Sequence, residues 1–346
     1  MKMFSVTRLI YALCLSLVCL AIFFQGESIF PVRNQKPKFK SSGKELAVRF
    51  CQMCHTFPEP GLLDRNTWEK SVLPNMGMRL GIRTNGADPF EDLDPIDESI
   101  VRNLNIYPDA PLILKEDWDR IVDYYVQNAP IKLESQHLTV GRTKEKAPFK
   151  SQFITIGDNK LPKVSLLNFN EASSELYIGD NNNLYALKNT GEISNSWLLN
   201  SPASHIEFNE NSDPLLLTIG QFRPSDQELG RLANLEIREN NQSATIAISK
   251  LRRPVHFASA DLNGDNKKDV VVCSFGNYCG KLSWFDNFEP SKEHVLSNLP
   301  GARMVAIKDL NGDQKPDIVV LMAQAYEQIS IYYNKGQGEF EEKKVL

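Results

Sequence analysis

The sequence predicts two structural classes in one chain, a small all-α domain followed by an all-β, propeller-like repeat domain. Three observations carry this. Cys51-Gln52-Met53-Cys54-His55 is framed by segments of helical apolar spacing, the last ending at Asn128. From Phe153 onward the pattern changes to short apolar runs separated by Gly, Asn, Asp and Pro, which marks many short strands. Within that part a nine-residue acidic loop occurs twice, at 261–269 and 309–317, 48 residues apart. The 346 residues leave room for both parts. A chain that is 42% hydrophobic and 24% charged with net charge −4 is globular. It is not basic enough for a nucleic-acid partner, nor acidic enough for disorder.

Residues 1–25 carry Lys2 and Arg8 before an uncharged apolar run over 9–24, the pattern of an export signal. No clean cleavage site follows, so the segment is a removed signal or an uncleaved anchor, and the anchor is favoured. Residues 26–43 read as a polar, basic tether. Ser42-Gly43-Lys44-Glu45 has capping-box spacing and opens a helix from Lys44 to about Cys54. Leu46, Phe50 and Cys54 fall on one face of it. Asn66 and Glu69 cap a second short helix that Pro74 stops, and 81–111 reads as loop with a cluster of acids. Leu114, Trp118, Ile121, Val122, Tyr125 and Val126 form the stripe of an amphipathic helix over 115–128.

Cys51, Cys54 and His55 have the spacing of a c-type haem attachment site. The thiols add to the haem vinyl groups, and the adjoining imidazole becomes the proximal iron ligand. A tetrahedral zinc site would need two further ligands, and the next cysteine or histidine after His55 is His137. Among the methionines beyond the attachment loop, Met76 and Met78 are the candidates for the sixth iron position, with core packing as the competing role for both. The motif resembles that of c-type cytochromes, which implies one covalent haem attached after export and so a body outside the cytoplasm, periplasmic or at the cell surface.

Helix, haem site, methionine segment and closing amphipathic helix over 44–131 resemble a class I cytochrome c domain. The resemblance implies that the first and last helices pack together, Phe50 against Trp118 or Tyr125. It also favours Met76, in Pro74-Asn75-Met76, as the axial ligand.

A linker over 132–152 leads into the repeats. Asp261-Leu-Asn-Gly-Asp-Asn-Lys-Lys-Asp269 and Asp309-Leu-Asn-Gly-Asp-Gln-Lys-Pro-Asp317 are the clearest copies. Weaker ones stand at 168–170 and 207–209. A unit of 40 to 50 residues with about four strands suits a propeller blade. About four units fit into 153–346, with the last one cut short, so a truncated chain or an incomplete ring with an open edge is expected. Each acidic loop offers oxygens at positions 1, 3, 5 and 9 and the carbonyl of position 7. These are Asp261, Asn263, Asp265, Lys267 and Asp269, then Asp309, Asn311, Asp313, Lys315 and Asp317, giving about two calcium sites. A solvated Asp/Asn turn without metal is the alternative. The loops resemble those of FG-GAP/VCBS-type propellers. Cys273 and Cys279 could form a disulfide in an oxidising compartment.

Together, the haem motif and the repeats are similar to exported haem-propeller proteins of Bacteroidetes-type bacteria. The expected function is extracytoplasmic electron transfer, with a calcium-stabilised propeller binding a redox partner protein, a small-molecule electron donor or a substrate. Two alternatives stay open. One is a quinoprotein-like dehydrogenase using the haem as electron outlet, with His205 and His256 as channel-facing candidates. The other is a cell-surface adhesion or glycan-binding propeller.

Overall fold

The computed structural model describes residues 41–84, 86–134, 153–156, 161–209, 212–236, 244–324 and 327–345. The N-terminal signal or anchor, most of the tether and most of the linker lie outside these. Among the described residues no helix is long and apolar enough to cross a membrane.

The helical part begins with α1 (Gly43–Cys51) and a 3₁₀ turn (Pro60–Leu62). A continuous helical run follows: α2 (Arg65–Thr67), a π-helical turn (Trp68–Val72) and α3 (Leu73–Arg79). Pro74 therefore does not stop this helix. It has no N–H, and its ring would crowd the carbonyl four residues back. The widened turn, in which Leu73 N–H donates to Trp68 O, accommodates it. α4 (Pro95–Asn103) lies where a loop was expected. Asp94 caps it by accepting from Ile96 and Asp97 N–H, and Pro95 takes the first turn, where a missing N–H costs nothing. α5 (Lys115–Asn128) has the expected bounds, whereas α1 ends at Cys51 rather than near Cys54.

α1 packs on α5. The contact is close because Gly43 has no side chain: a Cβ there would stand 2.2 Å from the carbonyl oxygen of Arg120. Leu46 and Ala47 of α1, Trp68, Leu73, and Trp118, Ile121 and Tyr125 of α5 form one core, with Phe50, Cys51 and Met76 packed at its edge.

The rest is β. Among the described residues sixteen strands form four sheets of four, each a simple antiparallel meander. The first sheet is β1 (Val164–Asn170), β2 (Glu175–Asp180), β3 (Asn183–Leu187) and β4 (Ile193–Leu198). The second is β5 (Ala203–Asn209), β6 (Ser212–Thr218), β7 (Gly230–Leu235) and β8 (Ala244–Leu251). The third is β9 (Pro254–Ala260), β10 (Asp269–Ser274), β11 (Lys281–Phe285) and β12 (Glu293–Ser297). The fourth is β13 (Ala302–Lys308), β14 (Asp317–Met322), β15 (Gln328–Gly336) and β16 (Glu339–Lys344). The fourth sheet has the same four strands as the others, so the unit expected to be cut short is full by strand count.

Successive sheets face one another as blades, with the first strands β1, β5, β9 and β13 innermost. Alternation along each strand supplies an apolar face to both neighbours. Leu166, Tyr177 and Trp197 of blade 1 meet Ile206, Leu216 and Leu235 of blade 2. Leu217, Leu232 and Ile248 of blade 2 meet Phe257, Val270 and Val272 of blade 3. Val271, Leu282 and Trp284 of blade 3 meet Val305, Val320 and Tyr332 of blade 4. Among the described residues no comparable packing joins β13 back to β1. Among the described residues the arc is open, and its two end faces keep exposed apolar side chains: Leu167 and Phe169 on blade 1, Met304 and Leu321 on blade 4.

Candidate functional site

α1 delivers Cys51 to the edge of the helical core, and the turn after it carries Cys54 and His55. Both thiols are unbonded, Cys51 half-buried and Cys54 exposed. Burial pushes the Cys51 thiol above its ordinary value, while its hydrogen bond with Tyr125 acts the other way. The Tyr125 hydroxyl donates to Pro58 O at 2.7 Å and so holds the segment next to His55. His55 Nδ1 lies 2.8 Å from Thr56 O. This hydrogen bond makes Nδ1 the protonated nitrogen and leaves Nε2 as the free lone pair, the arrangement a ligating imidazole needs. The three groups therefore fit a covalently attached haem by chemistry and accessibility. Met76 and Met78 stand on α3, not on a loop. Met76 packs against the same core as Cys51, whereas Met78 packs into a second cluster with Phe90, Val101 and Tyr107. Met76 is thus the methionine on the attachment-site side.

The two acidic loops are near copies. Asp261 Oδ1 accepts from Gly264 N–H at 2.7 Å and Oδ2 from Asn266 N–H at 2.8 Å. Asp309 does the same with Gly312 and Gln314 at 2.7 and 2.9 Å. Asn263 and Asn311 each accept from the N–H two residues on, and so do Asp265 and Asp313. Gly264 and Gly312 have φ of 85° and 81°, a conformation that suits glycine. Lys267 and Lys315 each lie near the Asp two residues before, with Nζ–Oδ2 distances of 4.0 and 3.6 Å.

The last Asp of each loop opens the next strand and is fully buried. Asp269 accepts from Leu262 and Asn287 N–H at 2.9 and 2.8 Å, and Asp317 from Leu310 and Asn334 N–H at 3.0 and 2.9 Å. Burial raises the Asp269 carboxyl above its ordinary range, partly offset by those two N–H groups. The oxygen donors suit a hard cation. Among the described residues no three carboxylates, imidazoles or thiols stand together as a metal-holding group. The turns are closed by their own hydrogen bonds.

Cys273 and Cys279 are not joined: both thiols are free. Cys273 points from β10 into the fully buried core between blades 3 and 4. Cys279 belongs to the β10–β11 connection, where its N–H donates to Asp226 Oδ1 at 3.1 Å. Burial and the Asp226 charge push its thiol up to about 11.

His205 and His256 occupy the inner strands β5 and β9 of adjacent blades. Their rings stack with centroids 4.0 Å apart. Burial lowers both to about 4, and the Arg303 charge acts in the same direction. Val305 N–H donates to His256 Nδ1 at 3.4 Å. Among the described residues neither imidazole has a carboxylate or hydroxyl hydrogen-bond partner, and the stacked pair packs between blades 2 and 3.

The sequence reading missed the seam that fixes the helical part to blades 2 and 3. Asp97 of α4, 6% exposed, accepts from Ser225 Oγ and Asp226 N–H at 3.0 and 2.8 Å. Asp226, 1% exposed, accepts in turn from the N–H groups of Asn277, Tyr278 and Cys279. The Tyr107 and Tyr278 hydroxyls meet at 3.0 Å, and Arg79 lies over both rings. The Asp94-Pro95 start of α4 was the available signal. Nothing local marks the Asp226 loop.

The FG-GAP-like repeat family matches residues 261–320, the stretch holding both acidic loops and the strands between them. No curated protein matches the chain. Among solved structures, a Dos1 propeller matches with TM-score 0.39 and 10% identity over 53% of this chain and 47% of that one. The WD40 domain of Neurospora crassa Pan2 matches with TM-score 0.33 and 11% identity over 53% of this chain and 50% of that one. The chain thus spans about half the length of each. Neither the repeat match nor these structures extend the likeness to a cytochrome c domain.

Proposed function

We propose that this chain is an extracytoplasmic haem c electron-transfer protein whose blade arc is a binding platform for its redox partner, a protein or a small-molecule donor. One observation carries the reading: Cys51, Cys54 and His55 present two unbonded thiols and an imidazole whose Nδ1 is already engaged. Haem, when bound, supplies one-electron chemistry. Cys51 and Cys54 would hold it covalently, His55 Nε2 would take the proximal position, and Met76 is the candidate for the distal one. The buried seam from Asp97 to Asp226 joins the helical part to the blades.

The test is an absorption spectrum of the chain produced with c-type haem maturation machinery. The expected result is a covalent haem with a methionine–iron charge-transfer band in the oxidised state, lost in Met76→Ala and kept in Met78→Ala. Absence of covalent haem overturns the reading.

A second reading, a calcium-dependent adhesion or glycan-binding propeller, is favoured by the FG-GAP-like match. It draws on the spacing of the two acidic loops. A cation would have to pull Asp261, Asp265 and Asp269 together, and likewise Asp309, Asp313 and Asp317. A Tm that rises with millimolar calcium and falls with chelator supports bound calcium. A Tm indifferent to both leaves hydrogen bonds as the closure of the turns.

A further inference from the structure

The first strands β1, β5, β9 and β13 are each seven residues long, and their central residues are Leu167, Ile206, Phe257 and Val305. The last three are 1%, 1% and 2% exposed, because each packs on the preceding blade. Leu167 meets no preceding blade among the described residues and is 65% exposed. The other end of the arc mirrors this. The penultimate residue of the second strand is Leu217 in blade 2, Cys273 in blade 3 and Leu321 in blade 4. Leu217 and Cys273 are fully buried against the following blade, whereas Leu321 is 41% exposed.

Neither end face has the polar outer surface that a solvated antiparallel sheet carries. Residues paired across strands share a face. On blade 1, Leu167 pairs with Ile178, Ile178 with Tyr185, and Phe169 with Leu176. β1, β3 and β4 contain no charged residue. On blade 4, Leu321 pairs with Met304 and Ile329, and Val319 with Ala306 and Ile331. Charge enters that face only at its rim, with Lys308 at the end of β13 and Glu341 and Lys343 on β16. An apolar centre with a polar rim is the anatomy of a protein interface, and monomers rarely leave apolar patches of more than a few hundred Å² uncovered.

We infer that two copies of this chain close a ring of eight blades, blade 4 of each protomer packing its Met304 and Leu321 face on the Leu167 and Phe169 face of blade 1 of its partner. A second copy is the one molecule that brings both halves of an ordinary blade joint, the preceding face and the following face. The area suffices. Four strands about 4.8 Å apart and about six residues long present a face of roughly 19 by 20 Å, about 380 Å². Two joints cover four such faces, about 1,500 Å² in all, within the range of about 1,200–2,000 Å² of stable interfaces. Eight blades lie within the usual span of propellers, and a head-to-tail contact used twice gives a closed dimer. Nothing in this pairing depends on haem, so it stands or falls separately from the electron-transfer reading.

The test is sedimentation velocity of the full chain over a range of concentrations, alongside Leu167→Lys, Leu321→Lys and an equimolar mixture of the two variants. Both residues are exposed within the protomer, so circular dichroism of the variants should match the wild type. The wild type should sediment as a dimer, at twice the 39.2 kDa of one chain. Each variant should be monomeric where the wild type is dimeric, because in its own dimer the lysine would sit in both joints. The mixture should regain dimer, because blade 4 of the first variant and blade 1 of the second form one unaltered joint. A monomeric wild type overturns the proposal and leaves the end faces to a different protein. Assembly beyond the dimer overturns ring closure, since a head-to-tail contact that does not close builds filaments. A dimer that survives either lysine, or a mixture that regains none, overturns the pairing of blade 4 with blade 1.

Discussion

Asp226 holds three successive backbone N–H groups, at Asn277, Tyr278 and Cys279, through one buried carboxylate. Replacing it with alanine leaves these part-buried donors without their acceptor. Asp226→Ala should therefore cost about 3 kcal/mol or more, measured as a lower denaturant midpoint, and Asp226→Asn should cost less because one acceptor oxygen remains. The stacked imidazoles give a pH-dependent prediction. Both are lowered to about 4 in the folded protein, against about 6.5 unfolded. Between these values the unfolded chain binds more protons. Stability is thus complete above pH 6.5 and is lost as pH falls toward 4. The double variant His205→Phe/His256→Phe should show a flatter dependence of Tm on pH in that window. At this scale Cys51, Cys54 and His55 were legible in the sequence, because contiguous groups announce shared chemistry. Asp226 was not: its partners are some fifty residues away and are backbone, which carries no sequence signature.

At the scale of elements, the contact between α1 and α5 rests on the absence of a side chain at Gly43. Gly43→Ala would drive a methyl group into the Arg120 carbonyl and should lower stability by about 1–3 kcal/mol, as overpacking does, with a matching drop in Tm. The acidic loops depend on their last residues. Asp269→Ala and Asp317→Ala should each destabilise more than Asp261→Ala, because the former are buried and tie a loop to the neighbouring strand connection. Chemical denaturation of the three variants checks the order. The amphipathic stripe of α5 and the strands after each loop were readable from periodicity, because an apolar face must be buried wherever it lies. The helix across Pro74 and helix α4 were not. A π-helical turn absorbed the proline, and a short cap outweighed a run of loop-forming residues.

For the whole molecule, the seam through Asp97, Asp226, Tyr107 and Tyr278 joins the helical part to blades 2 and 3. Asp97→Ala combined with Tyr107→Phe should split the calorimetric transition into two, whereas the wild type should melt in one. The open arc has a separate consequence. Leu167 is 65% exposed on the free face of blade 1, so Leu167→Lys should still melt cooperatively, while Leu166→Lys, on the buried face, should prevent folding.

The sequence by itself determined the haem-type motif, the two acidic loops and the succession of short strands. Each is written in residues that are adjacent or regularly spaced. Only the tertiary structure decided that Cys273 and Cys279 stay apart, that His205 stacks on His256, and that Met76 and Met78 fall into different clusters. Those outcomes depend on how one face packs against another, and the packing of two faces is set by residues far apart in the chain.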